Sequence, residues 1–402
     1  MSEFQFPSHI WQQRNKILFN NNSIGTKVIE TAYLAITMKR WWLISLILLI
    51  VFEWLRVYFI MPMPGSQQSN SLEFAYFLHQ YRWVFRVIFL AAILRWLPSS
   101  WKQYKKTTIF LMGVLALSAY LTNNLLSADT MFLSLRNTRF AKADKSYIET
   151  DRLVIGIIDH GVPKAYPMNI LAHHHQISDT LDKNLPVFAT YCSVCRTAMV
   201  YRYPQKNGKL EKFRLVGMDH YNAMFEDQES GSWWQQATGE AVVGPRKGEQ
   251  WTILPYVQTT LKQWLQWYPD SWILQGESEF EKKYNRLEKY DDGSIESDLL
   301  QRSVSPNHAK NWLAWLELQG EKRFYIWEQL EKKKWLIDSI QQRKIIVATP
   351  DNKSLLAFEV PENVNVHKLT IDSILRVYPK AKQVLVHQEF RHSFEHFQQS
   401  KK

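Results

Sequence analysis

Long apolar runs fill the first third of the chain, and short apolar runs broken by Gly, Pro and Asp follow it. The runs 41–61 and 107–128 predict transmembrane helices, because about 20 apolar residues at about 1.5 Å each cross a hydrocarbon layer. Arg82 and Arg86 interrupt the run 74–97, which fits a third spanning helix or an interfacial helix, and spanning is favoured. We therefore expect two or three transmembrane helices within 39–128, with Glu53 and Arg56 paired on one helix face.

The positive charge lies in the same third of the chain. Residues 1–150 hold 16 Lys/Arg against 7 Asp/Glu, whereas the remainder is nearly balanced. This distribution predicts membrane topology and a membrane-lipid partner, with no nucleic-acid partner. Lys and Arg flank the first run and separate the later ones but are absent from 62–79, so the positive-inside rule places the segment 1–38 in the cytoplasm. With three spans, the same rule places everything after 128 outside, so we expect a multi-pass membrane protein whose C-terminal part is extracytoplasmic.

From 129 onward the pattern predicts a mixed α+β soluble part. Five short runs have strand length and composition, and two have helical spacing. The predicted strands are 153–159, 186–190, 197–203, 212–217 and 344–349, and the predicted helices are 259–268 and 370–378. Because βαβ alternation is not visible, a doubly wound sheet is not expected.

Two parts of this region resemble each other. Residues 161–201 align without a gap on 320–360, with Tyr166 and Asp179 matching Tyr325 and Asp338. A shorter match relates 261–269 to 371–379. We interpret the soluble part as a degenerate tandem repeat, with a first copy over 129–280 and a second over 281–402. The second copy has Asp351 and Ser354 in place of Cys192 and Cys195, and three Lys in place of three His.

Cys192 and Cys195 are the only two cysteines, and they stand three apart. They fit a structural disulfide, a redox-active pair, half of a metal site or two inert thiols. Arg196 directly follows the pair and is suited to stabilise a thiolate. Because TAMVYRYP reads as a strand rather than a long helix, a metal-binding knuckle between two strands is favoured over a thioredoxin-like arrangement.

A tetrahedral metal site needs ligands beyond two thiolates. The run His173-His174-His175 lies shortly upstream, and His220 stands alone in LVGMDHYN. We predict zinc or copper on Cys192, Cys195, His174 and His175. The alternative is a polar surface loop with one histidine packed inward.

The segment SWWQQATGEAVVGP (232–245) is the second candidate for chemistry. Trp234, Gln235 and Thr238, together with Arg196, are predicted to bind a small-molecule substrate. Glu240 is predicted to act as a general base beside catalytic Cys192 and Cys195. The alternative is an aromatic core plug next to a tight turn.

These motifs resemble the domain of unknown function 3179 family of prokaryotes. The resemblance rests on AYPMNIL, HHQISDT, TYCSVCRTAMVY, YNAMFEDQESGSWWQQATGEAVVGP and WYPDSWIL. It implies that Cys192, Cys195 and His174 stand at the family's Cys and His positions, and Thr238 and Glu240 in its Thr-Gly-Glu. His175 replaces a family Glu. The resemblance implies an exported or anchored protein and supplies no activity.

Together these patterns predict a membrane-anchored extracytoplasmic protein with a Cys/His metal site or a thiol-redox site. The alternative is a non-enzymatic metal- or ligand-binding module of the envelope, with the cysteines in a structural disulfide. Whether the chain is an enzyme stays open at this point.

Overall fold

The computed structural model describes residues 41–181, 185–206, 209–287, 311–361 and 369–399. The chain divides into two compact units. One comprises Met1–Arg56 and Phe77–Asn124, and the other comprises Val57–Tyr76 and Leu125–Lys402. The predicted N-terminal segment 1–38 lies outside the described residues.

The first unit is helical. Helix α1 spans Trp41–Tyr58, α2 spans Leu72–Gln80 and α3 spans Arg82–Tyr120, followed by a π-helical turn at Leu121–Leu125. Helix α3 breaks at Tyr104 and runs through the basic stretch that was expected to be a loop between two spans. By length and composition, α1 and the run Arg82–Leu125 could each cross a membrane.

A polar cluster joins the helices of this unit. Arg86 donates two hydrogen bonds to the Glu53 carboxylate, at 2.5 and 2.8 Å. Arg56 lies 3.4 Å from the same carboxylate, so the predicted pairing of Glu53 with Arg56 is confirmed. Asn123 accepts hydrogen bonds from both arginines at 2.8 Å. Buried charges in apolar helices are stable only when they are paired in this way.

The second unit is mixed α+β, which confirms the predicted class. Its first part contains a five-stranded sheet, a three-stranded meander and a four-stranded sheet. The elements are α4 (Ala128–Met131), β1 (Arg139–Ala141), β2 (Leu153–Asp159), β3 (Val162–Pro167), α5 (Met168–His174), β4 (Gln176–Thr180), β5 (Pro186–Cys192), β6 (Thr197–Arg202), β7 (Gln205–Lys206), β8 (Lys209–Leu210), β9 (Phe213–Asp219), β10 (Asn222–Asp227), β11 (Trp233–Gln235), β12 (Ala241–Val243), β13 (Val257–Thr260), α6 (Leu261–Trp267), β14 (Trp272–Gln275) and α7 (Glu281–Leu287).

The C-terminal part of this unit forms a three-stranded and a four-stranded sheet. Its elements are β15 (Trp312–Leu318), β16 (Glu321–Ile326), α8 (Trp327–Lys333), β17 (Trp335–Ile340), β18 (Arg343–Ala348), β19 (Leu356–Val360), α9 (Ile371–Val377), β20 (Lys382–Gln383), β21 (Val386–Phe390) and α10 (Arg391–Phe394), followed by a π-helical turn at Glu395–Gln399. Each predicted strand and helix of the soluble part is present, with bounds within two residues of those expected.

Two runs of elements share an order of hairpin, helix and three-stranded meander. In the first, Tyr166 donates a hydrogen bond to Asp179 at 2.6 Å; in the second, Tyr325 donates to Asp338 at 2.9 Å. The helix of each run ends at a left-handed residue, His175 with φ 62° and Lys334 with φ 68°. The tyrosine hydroxyl of each hairpin thus ties it to the meander that follows the helix.

In strand β2, Gly156 leaves space for a buried tryptophan ring. A Cβ atom on Gly156 would lie 2.2 Å from the Trp264 ring of α6. Trp264 is fully buried, and its Nε1 donates to Ser271 at 2.7 Å, so the ring has no room to withdraw.

We predict that Gly156→Ala lowers the free energy of unfolding by about 1–3 kcal/mol, because the methyl group overpacks the ring. Thermal unfolding of the detergent-solubilised chain checks this value. In a double-mutant cycle, Trp264→Leu should cost less in the Gly156→Ala background than in the parent. Additive effects of the two substitutions would contradict the steric explanation.

Candidate functional site

The cysteine pair lies in the turn that joins β5 to β6. Cys192 ends β5 and pairs with Thr197, the first residue of β6, so the predicted strand–turn–strand arrangement is confirmed. Both thiols are free and buried, with 1% and 0% of each residue exposed. The Cys195 backbone N–H donates to Cys192 Sγ at 3.4 Å. Left-handed Arg196, with φ 55°, closes the turn.

The Trp-rich loop packs directly behind this turn. Asn222, at the start of β10, donates from Nδ2 to Cys195 Sγ at 3.0 Å and accepts from Ala237 N at 3.1 Å. Gln236 donates from Nε2 to Thr190 Oγ1 and to Thr197 O, both at 3.0 Å. Two segments that were predicted to carry chemistry are therefore joined by amide side chains.

The two thiols have unequal electrostatic surroundings. Burial acts to raise the pKa of Cys192, but hydrogen bonds from the Cys195 thiol and nearby backbone N–H groups outweigh it and lower this pKa. Burial raises the pKa of Cys195 well above the usual value, and the bond and charge of Cys192 raise it further. Charge on the pair is thus held at Cys192, as expected where N–H donors surround one sulfur.

The corresponding turn of the second run holds a carboxylate at the same place. Asp351 Oδ1 accepts from Ser354 N at 2.6 Å, as Cys192 Sγ accepts from Cys195 N. The Ser354 hydroxyl donates to Asp351 Oδ2 at 2.8 Å. A carboxyl oxygen therefore fills the position of the Cys192 sulfur, and a hydroxyl donor fills the position of Cys195.

A buried carboxyl group acts on the same pair from β21. Glu389 is fully buried and accepts hydrogen bonds from Trp315 Nε1 at 2.9 Å and from Ser393. Burial, together with the charge of Cys192, raises its pKa to about 7 against these two hydrogen bonds. The next residue, Phe390, donates from its backbone N–H to Cys195 O at 3.2 Å.

The predicted ligand-binding residues of the loop are held by internal contacts. Trp234 stacks on Trp251 with ring centroids 4.8 Å apart and donates to Asp227 at 3.0 Å. Thr238 Oγ1 donates to Gln235 Oε1 at 3.0 Å and lies 3.3 Å from Glu240 N. Their roles in binding or catalysis stay predictions, as does the role of Glu240 as a base.

Arg196 turns away from bulk water onto aromatic rings. It is 3% exposed, and its guanidinium lies 4.5 Å from the Trp312 ring centroid and 5.9 Å from that of Phe390. Trp312 and Phe390, which come from the C-terminal part of the second unit, thus cover the cysteine turn.

The three consecutive histidines are all buried, so the surface-loop alternative is wrong. His174 contacts Leu133 O through Nδ1 and the Tyr284 hydroxyl through Nε2 at 2.7 Å. His175 packs on Phe132 at 4.2 Å. Burial lowers the pKa of His173 and of His175 to about 4, which keeps both rings neutral. Within the described part of the chain, the cysteines and these histidines do not form one ligand group; the metal site on them stays a prediction.

Two important residues, Asn222 and Glu389, were not singled out from the sequence. Asn222 stands inside a quoted motif, YNAMF, so a search for amides near the cysteines would have found it. Glu389 lies in VLVHQEF, where a charged residue within an apolar strand was the only signal.

A buried Cys-x-x-Cys turn, backed by a Trp-rich loop and carried on an α+β unit, defines the class of this protein. Residues 132–396 match the family described as "Protein of unknown function (DUF3179)", and the chain belongs to this family. The matched range includes both the cysteine turn and Glu389. The chain matched no curated protein and no solved structure.

Glu389 should make stability depend on pH. Its folded-state pKa of about 7 exceeds the ordinary 4.5, so its contribution is complete below 4.5 and is lost as the pH rises through 7. Over this range the free energy of unfolding of the parent should fall by about 3 kcal/mol. We predict that Glu389→Gln abolishes this fall. Chemical unfolding of the reduced chain between pH 5 and about 8 measures it.

Glu359→Gln is the matched control, because the Lys382 hydrogen bond lowers the pKa of this neighbouring carboxyl. That variant should keep the decline. An unchanged pH dependence in Glu389→Gln would contradict the assignment.

Proposed function

We propose that this protein is a membrane-attached thiol–disulfide redox protein, with Cys192 as the attacking thiolate and Cys195 as the resolving thiol. The observation that carries the proposal is the shared anion position of the two turns. Where Asp351 Oδ1 accepts from Ser354 N, Cys192 Sγ accepts from the N–H of Cys195. Donors placed for an anion favour the thiolate, which is the reactive form of cysteine.

The reaction is a two-electron exchange with a low-molecular-weight disulfide. The Cys192 thiolate attacks one sulfur of the substrate, whose S–S bond breaks while a mixed disulfide forms, and the leaving thiolate takes a proton. Cys195 then loses its proton and attacks Cys192 Sγ, releasing the second substrate thiol. The cysteine pair is oxidised and the substrate is reduced to two thiols, whose protons come from the Cys195 thiol and from solvent.

The cover over the turn must move for a substrate to reach the sulfurs. Arg196 stacked on Trp312 forms one side of this cover, and the bond from Phe390 N to Cys195 O forms another. Trp312 and Phe390 belong to the C-terminal part of the second unit, whereas the two sulfurs lie in its first part. Opening between β21 and the turn is therefore the movement that we associate with reactivity.

A metal site on the cysteines is less well supported than a redox pair. A zinc or copper ion needs further ligands, and both ring nitrogens of His174 already contact other groups. A structural disulfide does not account for the asymmetry between the sulfurs, since it needs no thiolate donors. Glu240 and the Trp-rich loop then serve to support the pair, through Gln236 and Asn222.

We also propose where the protein is located and how its soluble part arose. Three spans, made by α1 and by α3 on either side of its break at Tyr104, together with the segment 62–79 without Lys or Arg, favour a multi-pass protein of the bacterial inner membrane with the second unit on the periplasmic side. An oxidising compartment suits a cysteine pair that cycles. The recurring Tyr–Asp hydrogen bond and the two equivalent turns support a tandem duplication in which one copy kept the thiols.

We predict that the full chain in detergent is oxidised and reduced reversibly in glutathione buffers, with a potential between about −270 and −120 mV. Mass-resolved alkylation of the two cysteines measures the oxidised fraction. Reduction only below about −300 mV would indicate a structural disulfide and contradict the proposal. Failure to form any disulfide would contradict it as well.

The roles of the two sulfurs separate in single variants. With glutathione disulfide as the probe, Cys195→Ser should accumulate a mixed disulfide on Cys192, whereas Cys192→Ser should accumulate little. The double variant Cys192→Asp/Cys195→Ser should show no exchange, and it should be less stable than the parent because Cys192 is buried whereas Asp351 is exposed. Equal trapping at either cysteine would refute the assigned order.

A further inference from the structure

A second side-chain cluster stands at the tip of the β9–β10 hairpin. Asp219 and Asn222 pair across the turn, and left-handed His220 and Tyr221, with φ 45° and 65°, form its apex. The His220 residue is 4% exposed, and its Nδ1 lies 2.8 Å from Asp219 Oδ1. The His396 ring, in the π-helical turn, stacks on the His220 ring with centroids 3.7 Å apart.

The β2–β3 hairpin has a similar turn and serves as a comparison for the Asp–His contact. There Asp159 and His160 form the same contact, also at 2.8 Å, and His160 has φ 47°. The His160 side chain is 51% exposed, however. The Asp–His contact is therefore a property of such a turn, and what distinguishes the β9–β10 tip is burial and the added imidazole of His396.

We propose that Asp219, His220 and His396 bind a divalent transition-metal ion such as zinc. One ligand atom from each residue lies within 4.8 Å of the others, and this is the one such group of three or more found across the described ranges. Two ligands that each lie about 2.0–2.2 Å from a tetrahedral ion are about 3.4 Å apart, so Oδ1 and Nδ1, which lie 2.8 Å apart, need to separate only slightly on binding. Two imidazoles and a carboxylate are a common ligand set for zinc and other first-row metals.

Binding of the metal ion involves no change of oxidation state. The ion displaces the proton shared between Asp219 and His220, which is released to solvent, and the His396 ring turns from its stacked position to present a nitrogen. Three protein ligands leave a position for water or a substrate group. Neither cysteine is used, so this site is distinct from the redox pair, although Tyr221 O lies 3.6 Å from Cys192 Sγ.

Such an ion would fix the C-terminal turn to the hairpin beside the cysteines. His396 follows β21, whose Phe390 covers Cys195. Metal occupancy is therefore expected to slow opening of the cover and so to slow the reaction of the thiols.

The test uses the tag-free full chain in detergent, stripped with a chelator and titrated with Zn²⁺ by calorimetry. We expect one equivalent to bind. His220→Ala and His396→Ala should each weaken binding by at least about 100-fold. The matched control His160→Ala and the Cys192→Ser/Cys195→Ser variant should bind as the parent does. Asp219→Asn, which keeps the shape of the side chain, should also weaken binding and so separates ligation from misfolding.

Three results would overturn the proposal: no Zn²⁺ binding by the parent, binding that survives in His220→Ala, or binding that is lost with the cysteines. Cobalt absorption gives a second readout, because thiolate ligation produces a strong charge-transfer band that a site of two His and one Asp lacks. The glutathione potential is measured on separate samples, so failure of the metal site leaves the redox proposal standing.

Discussion

The hydrogen bond from the Cys195 backbone N–H to Cys192 Sγ organises the candidate site. It forms in the turn between β5 and β6, which brings the Cys195 N–H back toward the preceding sulfur and ends at left-handed Arg196. The equivalent turn of the C-terminal run makes the same bond to a carboxylate, Asp351. The backbone of both turns therefore offers an N–H donor to the side chain three residues earlier, and the two turns differ in whether that side chain is a carboxyl or a thiol.

Neighbouring side chains hold this turn and its two sulfurs in position. Asn222 binds the second sulfur, and Gln236 ties the Trp-rich loop to the strands on either side of the turn. Both are neutral amides, which donate hydrogen bonds without adding a charge that burial would penalise. Glu389 is the exception, and its raised pKa follows from burial near a sulfur that holds negative charge. Coupling between this carboxyl and the thiols is a consequence of placing them in one dry interior.

The local parts of this arrangement could be predicted from the sequence, and the long-range parts could not. The strands on either side of the cysteines follow from residue types and spacing, so the turn was expected. Three histidines in a row indicated that at least one points inward, but periodicity does not tell how many faces of α5 are covered, and all three are buried. The contacts of Glu389 and His396 depend on how β21 packs beside the first run, which leaves no local pattern. Helix α3 differs for another reason: the basic stretch expected as a loop is helical except at Tyr104, where a kink joins two helices.

The central claim is that the fold holds Cys192 as a thiolate. Because the chain has only two cysteines, labelling their Cβ atoms with ¹³C gives two NMR signals from the reduced protein, and single serine variants assign them. A pH titration of these signals reports the ionisation of each thiol without requiring access to it. The account predicts a midpoint for Cys192 below the ordinary value of about 8.5 and none for Cys195 in the same range. A Cys192 midpoint at or above that value would contradict it.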